Sequence, residues 1–378
     1  MSLNPKRLVI IIVILALLFV TGKYILTYQF LNAGRLSQDS VIENRELLKN
    51  IIKNAEALQH DEAQKPKVIK QIRKLENQPP PPPVELEVEQ REKWFPSEWG
   101  ADDRRGAANR LTPQKVLQAA GLIKTGQVFQ LGRVYESGIP VFGTRHYSLR
   151  IPAMSGPLGD NKTTWFEEIV SGELGQIGTQ FDGLGHIGIG DHFYNGLDQH
   201  DFAKAEGLTE LGVENVGPIF TRAVLIDVAG FKGVDVLGDK YEITRADLEG
   251  ALEKQGVAIT PGDVVVIHTG WGKYWMTDNE RYSATEPGIG LDAGQFLVEQ
   301  KIVMACCDNW GVEVVPNPDE SLAFPVHQLF LVKHGIYNLE NMITEELAAE
   351  KVYEFAFSYA PLRLKGATGS PGNPIAIR

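Results

Sequence analysis

Five consecutive prolines, Pro79–Pro83, set the strongest limit on this chain, because neither a helix nor a central strand can run through them. Such a run is held as an extended polyproline helix of about 3.1 Å per residue and acts as a stiff spacer. A proline-rich recognition site is the competing reading; the position between a helical stretch and a long apolar-rich segment favours the spacer. Either way, the residues before Pro79 fold apart from those after Pro83. The 378 residues therefore divide into 1–28, 29–91 and 92–378.

In the first part Lys6 and Arg7 precede an unbroken apolar run, Leu8 to Val20, then Thr21, Gly22, Lys23 and Tyr24-Ile25-Leu26. One reading is a signal-peptide core with cleavage near Val20-Thr21-Gly22. The other is a transmembrane anchor reaching Tyr28, with Lys23 snorkelling and Tyr24 and Tyr28 in the interface. The missing small-x-small alanines favour the anchor. The preceding positive charge puts the N-terminus in the cytoplasm, so the rest is expected on the extracytoplasmic, periplasmic side, as an anchored protein or, if cleaved, a secreted one. In the second part Val41, Leu48, Ile51, Ile52, Ala55 and Leu58 recur at helical spacing, as do Val68, Ile69, Ile72 and Leu75 after Pro66. That pattern predicts a helical stalk, either a helix pair or a short coiled coil.

Residues 92–378 are the working domain. The chain is 43% hydrophobic and 22% charged, enough to bury a large core. A net charge of −11 argues against a nucleic-acid partner. The two cysteines, Cys306 and Cys307, are neighbours in an apolar run. On a strand they point to opposite faces, which leaves no disulfide and no cysteine-based zinc site. Strands are expected at 127–132, 146–151, 223–228, 264–268, 302–308 and 353–359, and helices at 113–120 behind Thr112 and at 245–254 behind Thr244, with Asp247 in the first turn. Strands outnumber helices, so the fold class is α/β but not a doubly wound sheet with a helix at every crossover. No dinucleotide, P-loop or H-E-x-x-H motif occurs.

The densest polar cluster in apolar surroundings runs from Gln176 to His186. On an extended chain Gln176, Gln180, Asp182 and His186 share one parity and can face one side. Two amides, a carboxylate and an imidazole in a row can hold a divalent cation with a proton-transfer group beside it. A polar strand face followed by a glycine-rich turn is the plainer reading of the same residues.

This segment resembles the H-x-G-T-H-x-D-x-P-x-H signature of the cyclase family, which includes kynurenine formamidases and isatin hydrolases. Gly178, Thr179, Asp182 and His186 match it. Gln176 and Gln180 stand in place of its first two histidines, and Leu184 in place of its proline. Other matches come in order: His192-Phe193-Tyr194-Asn195-Gly196, Thr269-Gly270-Trp271, Phe324-Pro325-Val326-His327, and Leu339-Glu340-Asn341. The resemblance spans about 94–360 and implies a swivelling β/β/α arrangement, a small-molecule substrate and a homo-oligomer. It also implies that Asp182, His327 and Glu340 hold metal, with Gln176 and Gln180 at the weakened first site, and that His186 is the general acid/base. Glutamine oxygens suit manganese or magnesium better than zinc, and one ion better than two.

The activity so implied is hydrolysis of a small aromatic or cyclic amide, lactam, formamide or ester, a metal ion lowering the pKa of water while His186 moves the proton. Phe181, His192, Tyr194 and Trp271, with Trp165 and Phe193, are the substrate-binding candidates, although the aromatics among them also read as core. Arg145 suits a carboxylate or a surface ion pair. His268 ends an apolar strand, Asp308 and Glu313 can orient a ligand from behind, and His334 can close a turn. Alternatives to the hydrolase are a binding protein that has lost turnover and a lyase or dehydratase using the same groups.

Overall fold

The computed structural model describes residues 94–152 and 156–378. The anchor and stalk expected within 1–91 lie outside the described residues. Among the described residues no helix is long and apolar enough to cross a membrane.

The strands that position the site are β1 (Val128–Gln130), β2 (Tyr147–Arg150), β3 (Ile169–Gly172), β4 (Gln180–Asp182), β5 (Ile219–Asp227), β6 (Val264–His268), β7 (Met304–Cys307), β8 (Tyr337–Glu340), β9 (Glu354–Tyr359), β10 (Gly369–Pro371) and β11 (Ile375–Ile377). β2 and β3 pair with each other as a separate antiparallel hairpin. The other nine form one sheet in the order β1-β11-β9-β5-β6-β7-β8-β4-β10. Its centre, β5-β6-β7-β8, is parallel, and both flanks are antiparallel. The strand-rich α/β class expected from the sequence is what forms.

All five residues of β6 are buried, as a parallel strand covered on both faces requires. Val264 and Val266 join the core on one face, with Met304, Cys306, Tyr337 and Leu339. Val265 and Ile267 join the core on the other face, with Ala305, Cys307 and Ile336. The two cysteines are thus free thiols on opposite faces, and burial pushes both well above their usual pKa.

Helix α1 (Pro113–Ala120) starts at Thr112, whose hydroxyl accepts from the Lys115 amide. Helix α2 (Arg245–Gln255) starts with a full capping box between Thr244 and Asp247. Helix α3 (Leu291–Glu299) covers the second core face through Ala293, Phe296 and Leu297.

The sheet curls, and the chain itself shows why. β10 is one edge strand, while β11 lies second from the opposite edge, and only residues 372–374 connect them. In a flat sheet the two would be about 34 Å apart at ~4.8 Å per strand. Four Cα steps reach no more than about 14 Å. The two ends must therefore approach each other, giving a half-barrel. Backbone bonds from Gly372 to Thr179 (3.2 Å) and from Leu131 to Pro374 (2.9 Å) pin the connection.

Candidate metal centre and the cleft beside it

β4 and β8 run antiparallel with Gln180 opposite Glu340 and Asp182 opposite Asn338. Phe181 and Leu339 alternate with these residues and point into the first core, so the four polar side chains share the second face. His327 reaches the same place from the Pro325–His327 turn, anchored by Val326, Leu329 and Phe330 in the second core. Asp182, His327 and Glu340 are all buried, and one ligand atom from each lies within 4.8 Å of the others. The His327 Nε2 is 3.2 Å from Glu340 Oε1 and 3.6 Å from Asp182 Oδ2.

Behind this trio, Glu313 accepts from His327 Nδ1 at 2.6 Å and from the backbone amides of His327 and Val326 at 2.8 and 3.1 Å. Nδ1 is thereby committed, and Nε2 is the nitrogen left facing the two carboxylates. Asp182 Oδ2 is buried with no hydrogen-bond partner. One imidazole nitrogen and two carboxylates, one of them with an orphaned buried oxygen, form a donor set that fits a single divalent cation.

The electrostatics agree with the geometry. Burial opposes charge on His327, but the nearby Asp182 carboxylate and its bonds to Glu313 and Glu340 outweigh that and raise its pKa well above 6.5. Burial and the neighbouring Asp182 charge raise Glu340. Burial opposes charge on Asp182, but the nearby imidazoles of His186 and His327 and the bond from Gln176 hold it below the usual carboxylate range. His186 sits 3.9 Å from Asp182, its side chain 19% exposed. Burial lowers its pKa more than Asp182 restores it, which leaves a neutral imidazole able to accept a proton.

The two glutamines do not sit as oxygen ligands. Gln176 Nε2 donates to Asp182 Oδ1 at 3.0 Å, and Gln180 Nε2 donates to Glu340 Oε2 at 2.6 Å. Each amide offsets a carboxylate where the family signature has a histidine. Nor does strand parity bring Gln176 to the site. Leu174–Gln176 is a 3₁₀ turn, and Gly178 at φ +61° breaks the extended chain between Gln176 and Gln180. A Cβ at Gly178 would also lie 2.7 Å from the Tyr135 ring.

The aromatic residues expected to bind substrate lie elsewhere. Phe181 is stacked on Tyr337 in the first core, because it alternates with the site residues along β4. Tyr194 is buried, and its hydroxyl donates to Asp103 (2.7 Å), tying down the segment before α1. Trp271 is buried behind Tyr282 and donates to its carbonyl (3.3 Å). His192 is half-buried beside Phe95, 6.2 Å between ring centroids. Phe193 packs edge-on against Phe202, and Trp165 belongs to the long connection between β2 and β3.

The cleft beside the centre, bordering it through Gln176 and Gln180, is lined instead by Phe142, Arg145, Gln176, Gln180, Tyr282 and Trp310. Phe142 stacks on Trp310 at 5.0 Å and 21°, and Phe324 stands edge-on to both and to His327. Asn341, in a left-handed conformation at φ +57°, donates to Gly178 (2.8 Å) and accepts from Tyr282 (2.6 Å), fixing the cleft floor to β8.

The cyclase family model matches residues 129–314. A crystal structure described as a novel cyclase is 36% identical, with a TM-score of 0.67, over 74% of this chain and 96% of its own. The chain belongs to the cyclase family. The structure of isatin hydrolase A from Ralstonia solanacearum is also similar, at 19% identity and a TM-score of 0.51, over 71% of this chain and 98% of its own. At that identity the likeness speaks for the cyclase fold alone. No curated protein matches.

Two further buried groups border this cyclase-family site, neither singled out by the sequence motifs. Glu286 follows a short helix in a Thr-Glu-Pro-Gly turn, yet it is fully buried and accepts from the Trp310 amide at 2.7 Å. Burial and the repulsion of Glu340 push its pKa well above the usual carboxylate value. Asn338 is fully buried opposite Asp182, and neither atom of its amide has a hydrogen-bond partner. Its parity with Glu340 on β8 was the one clue in the sequence.

Proposed function

We propose that this chain is a metal-dependent hydrolase of a small aromatic or cyclic amide, lactam, formamide or ester. The observation that carries the reading is the placement of His327: Glu313 holds Nδ1, so Nε2, Asp182 and Glu340 face one another as a ligand set. Those three residues would hold the ion, and oxygen-rich surroundings suit manganese or magnesium as well as zinc. A bound divalent ion polarises a carbonyl and makes water a better nucleophile at neutral pH.

The chain's own groups do the rest. His186, neutral and at the mouth of the centre, accepts the proton from the attacking water and returns it to the leaving nitrogen or oxygen. Gln176 and Gln180 hold Asp182 and Glu340 in place through their amide hydrogens. Phe142, Trp310 and Phe324 exclude water from the reacting carbonyl and favour a flat substrate. The test is elemental analysis of the purified protein beside Asp182→Ala. About one divalent ion per chain, lost in the variant, supports the reading; protein that takes up no metal under any loading condition refutes it.

A second reading is a small-molecule binding protein on the same fold, favoured by the amide hydrogens of Gln176 and Gln180 occupying both carboxylates. Metal-loaded protein inert towards amide, lactam and ester panels would establish it. The apolar run Leu8 to Val20 supports an extracytoplasmic, membrane-anchored location, which fractionation of cells making the full chain and a form lacking 8–20 would decide.

A further inference from the structure

Arg145 is held at the cleft by a backbone carbonyl and an aromatic ring rather than by a carboxylate. One guanidinium nitrogen, Nη1, donates to the Gln176 carbonyl at 3.0 Å, fixing the side chain to the residue that hydrogen-bonds Asp182. Its guanidinium lies 5.5 Å from the centre of the Phe142 ring, which is itself stacked on Trp310. Arg145 is half-buried, lines the cleft, and forms no ion pair with any carboxylate among the described residues. The wall beside it is also unfinished: Trp310 Nε1 is buried with no hydrogen-bond partner.

We infer that Arg145 is a substrate-carboxylate site, and that the molecule taken by this cleft is a flat aromatic bearing a carboxylate beside the group to be cleaved. This rests on the cleft being the substrate site of the hydrolase proposed above. Arginine presents five donors in a rigid fork, and with one held by Gln176 the remainder can meet a carboxylate at two points. The ring of such a molecule meets the Phe142–Trp310 face, and the Trp310 N–H is placed to meet an acceptor on it.

The test uses full-length protein stripped of metal with a chelator, so that a carboxylate cannot be captured by an ion at Asp182, His327 and Glu340. Benzoate and its neutral isostere benzamide are titrated by calorimetry into wild type, Arg145→Gln and Arg145→Lys. Expected is benzoate binding about ten-fold tighter than benzamide in wild type, the worth of charge-assisted hydrogen bonds. In Arg145→Gln that preference should vanish while benzamide binding stays as it was. Arg145→Lys should keep part of it, and it decides the matter if the glutamine variant does not fold. Equal binding of the two probes, no binding of either, or an undiminished preference in the variants overturns the inference. Because no metal and no turnover enter the experiment, failure of the hydrolase reading would show separately, in the metal analysis.

Discussion

His327 shows how one residue's surroundings set its chemistry. A histidine with both nitrogens free can take either tautomer, but Glu313 fixes Nδ1 as a donor at 2.6 Å and also holds the backbone amide of the same residue. Removing that carboxylate as Glu313→Ala should leave the three ligands in the chain and still weaken metal binding about 10–100-fold, the usual range for such supporting groups. Titration with a metal-sensitive dye would measure it, and an unchanged affinity would show that Glu313 serves the fold alone. Much of this site was legible at the residue level. Asp182, His186, His327 and Glu340 were nameable from the motif, and Glu313 from its place beyond the 302–308 strand. The glutamines were nameable but not their orientation, because an amide shows either end and only its neighbours choose which. Glu286 and Asn338 could not be read, since their burial comes from segments distant in sequence.

Among the elements, the parallel centre was the most legible part, because strands buried on both faces must be apolar throughout. Residues 264–268 and helix 113–120 form within the expected bounds. The short strands β4, β10 and β11 have three residues each and no periodicity to read; their pairing partners define them. The carboxyl ends of β6 and β7 are joined by a buried pair, His268 and Asp308, with 3.4 Å between Nδ1 and Oδ2. Asp308 also accepts from the Thr269 hydroxyl and amide and from the Gly270 amide, which stiffens the turn after β6. Burial opposes charge on both, but each partner outweighs it, raising His268 above 6.5 and lowering Asp308 below 3.8. A raised histidine stabilises fully below its unfolded pKa, and that stability disappears as pH rises through the folded value. A depressed aspartate stabilises above its unfolded pKa and loses this as pH falls through its folded value. The pair should therefore stabilise most between those limits. In urea melts the advantage of wild type over His268→Gln should shrink as pH is raised from about 6 to 9. A gap constant over that range would mean that the histidine's pKa is the same folded and unfolded.

For the whole molecule, the curl of the sheet depends on one short segment. β10 covers β4 at one edge, beside the metal centre, while β11 fills the place between β1 and β9 at the far side. Deleting residues 369–378 should therefore unpair both ends at once. The expected outcome is loss of a cooperative thermal transition by circular dichroism, with metal uptake lost too because β4 carries Gln180 and Asp182. A truncated chain that still melts cooperatively and binds metal would show that the curl survives without its link. The same segment sets a timetable for biogenesis. A ribosome delivers residues 369–377 after every other strand of the sheet, so β4 and β9 wait with exposed backbone edges while the nascent chain grows. Closure of the half-barrel, and with it the covering of β4, belongs to the moments after synthesis of this segment. Until then a chaperone has two open edges to guard.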